Sequence, residues 1–276
     1  MPGQSAYISQ RILTLLVVNA FQKLNLHLRS ALALRSPNLR GCPLIPKSLW
    51  PYAPSSRNAY NTFVLWIRQL GLDSAAMMLD VGANHGDFAQ AVSACFPDAK
   101  VFLFEPLPDL QRKLSDMIGT RRPNWHLMPY ALGSQPGRFP LYLDEGDDAI
   151  GSLTGFTEDY LKANPNARPS RKIICEVRTL DNVVRELNIE TIDLLKIDVE
   201  GFEFEVLKGG ASALSITKAI IVEISLVRRT QGSGHPLVEM LDLLACRGFH
   251  VVEVFPSLFE PGNAWKPVEF NVLMRR

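Results

Sequence analysis

Apolar and polar positions change period repeatedly along the 276-residue chain, and the changes predict an alternating α/β order. Short apolar runs at Met77–Val81, Lys100–Phe104, Trp125–Leu132, Ile192–Asp198 and Lys218–Glu223 have the length and residue content of buried strands. Between them, apolar residues at every third or fourth position predict helices over Asp87–Phe96, Pro108–Ile118, Leu180–Leu187, Phe202–Leu214 and His235–Arg247. A further helix is predicted over Tyr60–Leu70, closed by Gly71. Arg138–Leu143 and Lys172–Arg178 predict extra strands that flank a loop. Phe249–Phe255 and Val268–Met274 follow one another with no helix between, so they predict a hairpin and one antiparallel strand. The whole predicts a Rossmann-like α/β fold: a mostly parallel seven-stranded sheet with helices on both faces and an antiparallel C-terminal strand.

Upstream, Pro37, Pro43, Pro46, Pro51 and Pro54 mark an irregular connection. They divide the chain into an N-terminal helical extension with its Pro-rich connection, 1–58, and a main domain, 59–276. The apolar run Ile12–Val18 resembles a short signal-peptide core but falls far below the roughly 20 residues that a membrane span needs. From Ser9 to Leu34 the apolar positions keep helical spacing, with Arg11, Lys23 and Arg29 among them. Such helices suit packing on the main domain or against a second copy in a homodimer; contact with a membrane surface is the lesser alternative.

Charge and cysteine content narrow the function. A net charge of +1 offers no general attraction to nucleic acid. The four cysteines (Cys42, Cys95, Cys175, Cys246) form no Cys-x-x-Cys pair and no metal-like spacing with histidine. Reduced thiols in the cytoplasm are therefore expected, and no metal site.

Candidate chemistry gathers at two strand ends. The first is Leu79-Asp80-Val81-Gly82-Ala83-Asn84-His85-Gly86, a strand running into a helix. Gly82 and Gly86 permit a tight turn and close approach of a ligand. Asp80 can orient the loop or meet an ammonium group, and the helix start near Asp87 offers N–H groups to a carboxylate. Taken alone, this is also what an ordinary tight turn looks like. The next strand ends at Phe104-Glu105-Pro106, about 20 residues on, where a ribose-binding carboxylate falls in nucleotide-binding βαβ units. Without the glycine turn, Glu105 would read as a surface acid.

The second strand end is Leu194-Leu195-Lys196-Ile197-Asp198-Val199-Glu200-Gly201-Phe202-Glu203. In an open parallel sheet it faces the same crevice as the first. Lys196 is expected to pair with a carboxylate, because an unpaired buried lysine is costly. Glu200 and Glu203 would also serve as plain charge caps of the following helix.

Six blocks stand in order from Met77 to Val222: Leu-Asp-Val-Gly-Ala-Asn-His-Gly-Asp-Phe, Phe-Glu-Pro-Leu-Pro, Tyr-Ala-Leu-Gly, Gly-Ser-Leu-Thr, Val-Arg-Thr-Leu-Asp, and Leu-Leu-Lys-Ile-Asp-Val-Glu-Gly-Phe-Glu-Phe-Glu-Val-Leu-Lys-Gly. Together they resemble the FkbM family of S-adenosylmethionine-dependent methyltransferases. The resemblance implies a class I methyltransferase fold, S-adenosyl-L-methionine as cofactor, and O-methylation of a hydroxyl on a sugar, glycan or natural product. It further implies that Gly82, Ala83 and Asn84 line the methionine end, with Asp80 and Gly86 shaping the same loop. Glu105, followed by Pro106, would bind ribose; Tyr130 and Ala131 would lie beside adenine; Asp198 would sit near the amino-acid or methyl-transfer end. His85 replaces the family's usual isoleucine.

A hydroxyl acceptor needs a base at the reacting oxygen. Asp198, Glu200 and Glu223 are the candidates, with His85 and His235 behind them. The polar segment 144–171 has the length of a lid or binding loop, and Gly151-Ser152-Leu153-Thr154 within it is assigned to acceptor contact, with a plain disordered insertion as the alternative. Two rival classes share the sheet: a nicotinamide-dependent oxidoreductase and a non-catalytic binding protein. The first lacks the Gly-x-Gly-x-x-Gly pyrophosphate fingerprint, and a dehydrogenase sheet would continue βαβ to its edge; the second would not need Glu105, Asp198 and Glu200 together.

Overall fold

The computed structural model describes residues 54–72, 74–144, 151–153, 155, 158, 161, 169–226, 237–260 and 263–276. The expected N-terminal amphipathic helices and His235 lie outside them. The first described element, α1 (Pro54–Gln69), begins at a proline inside the stretch read as irregular. Proline suits a helix start, where its missing N–H has no partner to lose. One face of α1 buries Val64, Trp66 and Ile67 in the main core.

The predicted alternation follows: β1 (Met77–Val81), α2 (Asp87–Cys95), β2 (Lys100–Phe104), α3 (Pro108–Arg121) and β3 (Trp125–Met128). After an intervening sheet come α4 (Leu180–Glu186), β8 (Ile192–Ile197), α5 (Glu203–Lys208), α6 (Ala211–Ser215), β9 (Thr217–Ser225), α7 (Leu237–Ala245), β10 (His250–Glu260) and β11 (Asn263–Arg275). The seven-stranded sheet has the order β10-β11-β9-β8-β1-β2-β3. Only β11 runs against its neighbours, as the missing helix between the last two strands predicts. This is the class I methyltransferase architecture that the resemblance implies.

Two expected elements are divided. Trp125–Leu132 breaks after Met128, and its end, β4 (Ala131–Leu132), leaves the main sheet to pair with β7 (Pro169–Arg178). With β5 (Gly137–Asp144) and β6 (Gly151–Ser152) they form a four-stranded second sheet. The single helix expected over Phe202–Leu214 is instead α5 and α6, parted at Gly209-Gly210. A Cβ on Gly209 would overlap the Gly133 carbonyl, and one on Gly133 would press on the Phe202 ring. Two of the six blocks therefore meet in a packing contact, so their glycines serve the fold before any chemistry.

Register explains how the site forms. Val81 is level with Phe104 on one side and Ile197 on the other, and Ile197 is level with Val222. The next residues, Glu105, Gly82, Asp198 and Glu223, thus stand side by side; the first three directly follow their strands, whereas Glu223 lies two residues inside the end of β9.

At the opposite end of the sheet, Asp193 accepts hydrogen bonds from Ala76 N (2.7 Å) and Met77 N (3.0 Å) and pairs with Lys218 at 2.7 Å. Burial alone would push its carboxyl up, but these donors outweigh it and hold it below the usual range. Its contribution is therefore present at neutral pH and fades as acid titrates the folded carboxylate. Asp193→Ala should lower stability by about 1–3 kcal/mol in urea unfolding, because two strand N–H groups lose their acceptor. A loss under about 0.5 kcal/mol would mean that water substitutes for the carboxylate.

Candidate active site

The loop after β1 turns through left-handed backbone at Gly82 (φ 77°), Asn84 (φ 51°) and Gly86 (φ 77°). Gly82 N and Ala83 N both donate to Phe104 O, at 3.1 and 3.0 Å. Gly82 can carry no side chain, since a Cβ would overlap the Asp198 carbonyl oxygen. The sequence assigns this glycine to ligand approach; the structure adds that two strand ends touch there.

Glu105 is buried, and both of its oxygens hold backbone: Oε2 accepts from Asn84 N at 2.8 Å and Oε1 from Leu107 N at 2.9 Å. Burial pushes its carboxyl up to about 7, against those two N–H groups. A carboxylate has lone pairs beyond these two bonds, so acceptors for ribose hydroxyls remain. Lys196 lies beneath the loop, as expected of a paired lysine. Its Nζ donates to Gly82 O at 2.9 Å and stands 3.3 Å from Asp80 Oδ1 and 3.4 Å from Asp198 Oδ2. Burial raises the Asp80 carboxyl to about 6, with Lys196 opposing.

Beyond Asp198 the chain makes a tight turn with Glu200 at φ 56° and Gly201 at φ 95°. Glu203, buried at the start of α5, accepts from Val199 N and Gly201 N, both at 3.0 Å. Glu203 therefore builds the turn that presents Glu200. Asp198, Glu200 and Glu223 each bring one carboxylate oxygen within 4.8 Å of the others. That spacing would admit a divalent cation, and it brings three carboxylates to one edge of the site.

A cavity of about 250 Å³ opens over these strand ends. Of the expected residues, Gly82, Ala83, Asn84, Glu105, Pro106, Ala131, Asp198 and Glu200 line it, as does His85. Asp80, Gly86, Tyr130 and Glu223 are not among the lining residues. Asp80 backs the loop through Lys196. Gly86 caps the start of α2, against the Leu114 and Trp125 side chains. Tyr130 packs edge-on to Phe104 at 5.9 Å and lies under the Arg178 guanidinium at 4.4 Å. Glu223 joins the site through Asp198 and Glu200.

Several lining residues escaped the sequence. Phe63 reaches the cavity from α1 and packs edge-on to Phe88 at 5.4 Å. No motif marks it, since its helix adjoins the Pro-rich stretch. Leu141 also escaped the sequence; with Gly151 and Leu153, which the sequence assigned to acceptor contact, it forms a wall from the second sheet. The alternation of Leu141 and Leu143 as inward residues was the available signal. Gly151 and Leu153 belong to the segment assigned to acceptor contact, and most of that segment lies outside the described residues.

Residues 80–251, more than half of the chain, match the model of the methyltransferase FkbM domain. The chain belongs to the FkbM methyltransferase family. It is 31% identical to the 2-O-methyltransferase NoeI of Sinorhizobium fredii, over 72% of this chain and 79% of that relative. It is 28% identical to the methyltransferase sdnD of Sordaria araneosa, over 74% and 83% of the two chains. A third relative, the hexuronic acid methyltransferase AglP of Haloferax volcanii, is 31% identical over 54% of this chain and 55% of its own. Among solved structures, the precorrin-6y C5,15-methyltransferase of Geobacter metallireducens aligns over 85% of this chain and 98% of its own, at 12% identity and a TM-score of 0.46. This FkbM protein is an S-adenosylmethionine-dependent methyltransferase. Membership sets aside the nicotinamide and non-catalytic alternatives. Among the described residues, no helix is long and apolar enough to cross a membrane.

Proposed function

We propose that this enzyme methylates a hydroxyl of a sugar, glycan or natural product, with the carboxylates of Asp198, Glu200 and Glu223 taking the hydroxyl proton. The observation that carries this reading is the convergence of those three oxygens within 4.8 Å, beside the Gly82 turn. A carboxylate placed at the reacting oxygen can accept the proton that the hydroxyl loses as the methyl is transferred. The printed activities of NoeI and AglP, a 2-O-methyltransferase and a hexuronic acid methyltransferase, support a sugar-like acceptor.

S-adenosylmethionine supplies an electrophilic methyl, so the protein's task is to align the acceptor oxygen and remove its proton. Gly82, Ala83 and Asn84 are assigned to the methionine end, Asp80 behind them, and Gly86 to the turn that shapes them. Glu105 takes the ribose hydroxyls with Pro106 beside it. Ala131 faces adenine, and Tyr130 supports that wall from behind.

The test is incubation with methyl-labelled cofactor and separated pools of glycans, small molecules and RNA, followed by identification of the labelled product. Label on a sugar or metabolite hydroxyl is expected; label confined to RNA overturns the proposal. Activity should also persist in EDTA. Loss in EDTA that magnesium restores would replace the proton-acceptor role of the three acids by chelation.

Glu105 predicts a pH dependence. Its carboxyl must be ionised to accept two ribose hydroxyls, and it titrates at about 7. Cofactor affinity should therefore weaken as pH falls from 8 to 6, by roughly tenfold for each unit below the titration point. Calorimetric titration across that range checks it, and Glu105→Gln should be weak at every pH.

A further inference from the structure

We propose that Lys196 is the positioning residue of this cofactor site, its ammonium group latching the Gly82 turn to the Asp198 strand end and balancing the carboxylates that surround both. Lys196 sits on β8 level with Asp80 of β1 on one side and Ile221 of β9 on the other. Its ammonium lies within hydrogen-bond or ion-pair distance of a carbonyl and two carboxylates from three places: Gly82 O, Asp80 and Asp198. The Phe88 ring of α2 closes one side, 5.9 Å from Nζ. The side chain is buried, yet it also borders the cavity.

Stability does not require this arrangement. An apolar pair in place of a buried ion pair commonly folds as well or better, because neither charge has to leave water. What an apolar pair could not do is hold the Gly82 carbonyl and the Asp198 carboxylate to one point.

Among the described residues, the charged groups that interact with Lys196 are acids: Asp80 from β1, Asp87 from α2, Glu105 from the end of β2, and Asp198 from its own strand end. The remaining titratable neighbour, His85, acts on Asp87. Burial pushes Asp80, Asp87 and Glu105 up, and at each of them Lys196 works in the opposite direction. At Lys196 itself, burial disfavours the charge, but Asp198 and Asp80 outweigh it and raise its proton affinity. The lysine thus stays charged across the working range. Removing it should let Asp80 and Glu105 take up protons at higher pH.

The inference rests on Glu105 as the ribose acceptor, and the experiment separates the two. Cofactor affinity is measured by calorimetry from pH 6 to 9.5, and kcat at saturating cofactor, for the full chain and for Lys196→Met and Lys196→Arg. The wild type should show weakening on the acid side. In Lys196→Met that limb should move to higher pH, with affinity at pH 7 down by about tenfold per unit of displacement. Its kcat should stay low even at alkaline pH, where affinity recovers. Lys196→Arg keeps the charge on a longer, planar head; its limb should stay in place while kcat falls. A melting temperature lowered with no movement of the limb would leave Lys196 a packing residue and overturn the proposal. If Lys196→Met fails to melt cooperatively, the Arg variant decides, and a displaced limb there overturns it. A flat wild-type profile would remove Glu105 from the ribose site, and this proposal with it.

Discussion

Asp198→Ala is expected to abolish measurable turnover, with kcat falling by about 10² to 10⁴ if a positioned proton acceptor is lost. Three features converge on this residue. It ends β8 beside the Gly82 turn, its carbonyl fills the space where a side chain on residue 82 would stand, and its carboxylate meets both Lys196 and the other two acids. Asp198 thereby joins the cofactor loop to the proposed acceptor side. The alanine variant also strips Lys196 of one of its two anionic partners, so some stability will go with activity. Asp198→Asn separates the effects, because it keeps the shape and removes the charge. Its melting temperature should stay near the wild type while kcat falls almost as far as in the alanine variant. Wild-type turnover in Asp198→Ala would remove the residue from the mechanism and leave Glu200 and Glu223 to act alone.

The elements nearest the chemistry were the most legible in the sequence. β1 and β2 fall where the apolar runs place them, because central strands of a parallel sheet are buried on both faces and read as continuous apolar stretches. The antiparallel C-terminal strand was legible from a missing helix. Of the second sheet, β5 and β7 were legible as the extra strands Arg138–Leu143 and Lys172–Arg178, but β4 and β6 were not. The strand β4 is only two residues long and continues an apolar run begun by β3, so no change of period separates them. The break between α5 and α6 comes from a backbone contact with Gly133, which is distant in sequence and leaves no local mark beyond two glycines.

A similar limit applies to the site. Glu105, Asp198 and Glu200 could be selected because they end strands, and strand ends are where ligands bind in this architecture. Phe63 could not, since it comes from a helix outside the repeating order. The motif acids also divide by contact in a way that spacing alone does not reveal. Glu203 is spent on the backbone of the turn, whereas Glu200, three residues earlier, is lifted by that turn toward the cavity. Glu203→Ala should therefore act mainly through the placement of Glu200.

Gly82→Ala is the second substitution expected to have a large effect, and it acts through shape alone. At φ 77° an alanine already pays about 1–2 kcal/mol for left-handed backbone. The larger cost is steric. The added carbon meets the Asp198 carbonyl, a backbone atom held by strand pairing, so it cannot turn aside as a side-chain tip would. Relief requires β1 and β8 to part at their ends, and this strains the Asp198 N to Val81 O bond of 3.1 Å and the Lys196 latch on Gly82 O. Cofactor binding and melting temperature should fall together. Gly86→Ala provides the contrast. It has the same φ, but its added carbon would meet the Leu114 Cδ2 at 3.0 Å, the end of a flexible side chain. That variant should keep most of its cofactor affinity and lose only the backbone term. Wild-type affinity in Gly82→Ala would show that the two strand ends can separate without consequence, and that the turn does not set the position of the cofactor.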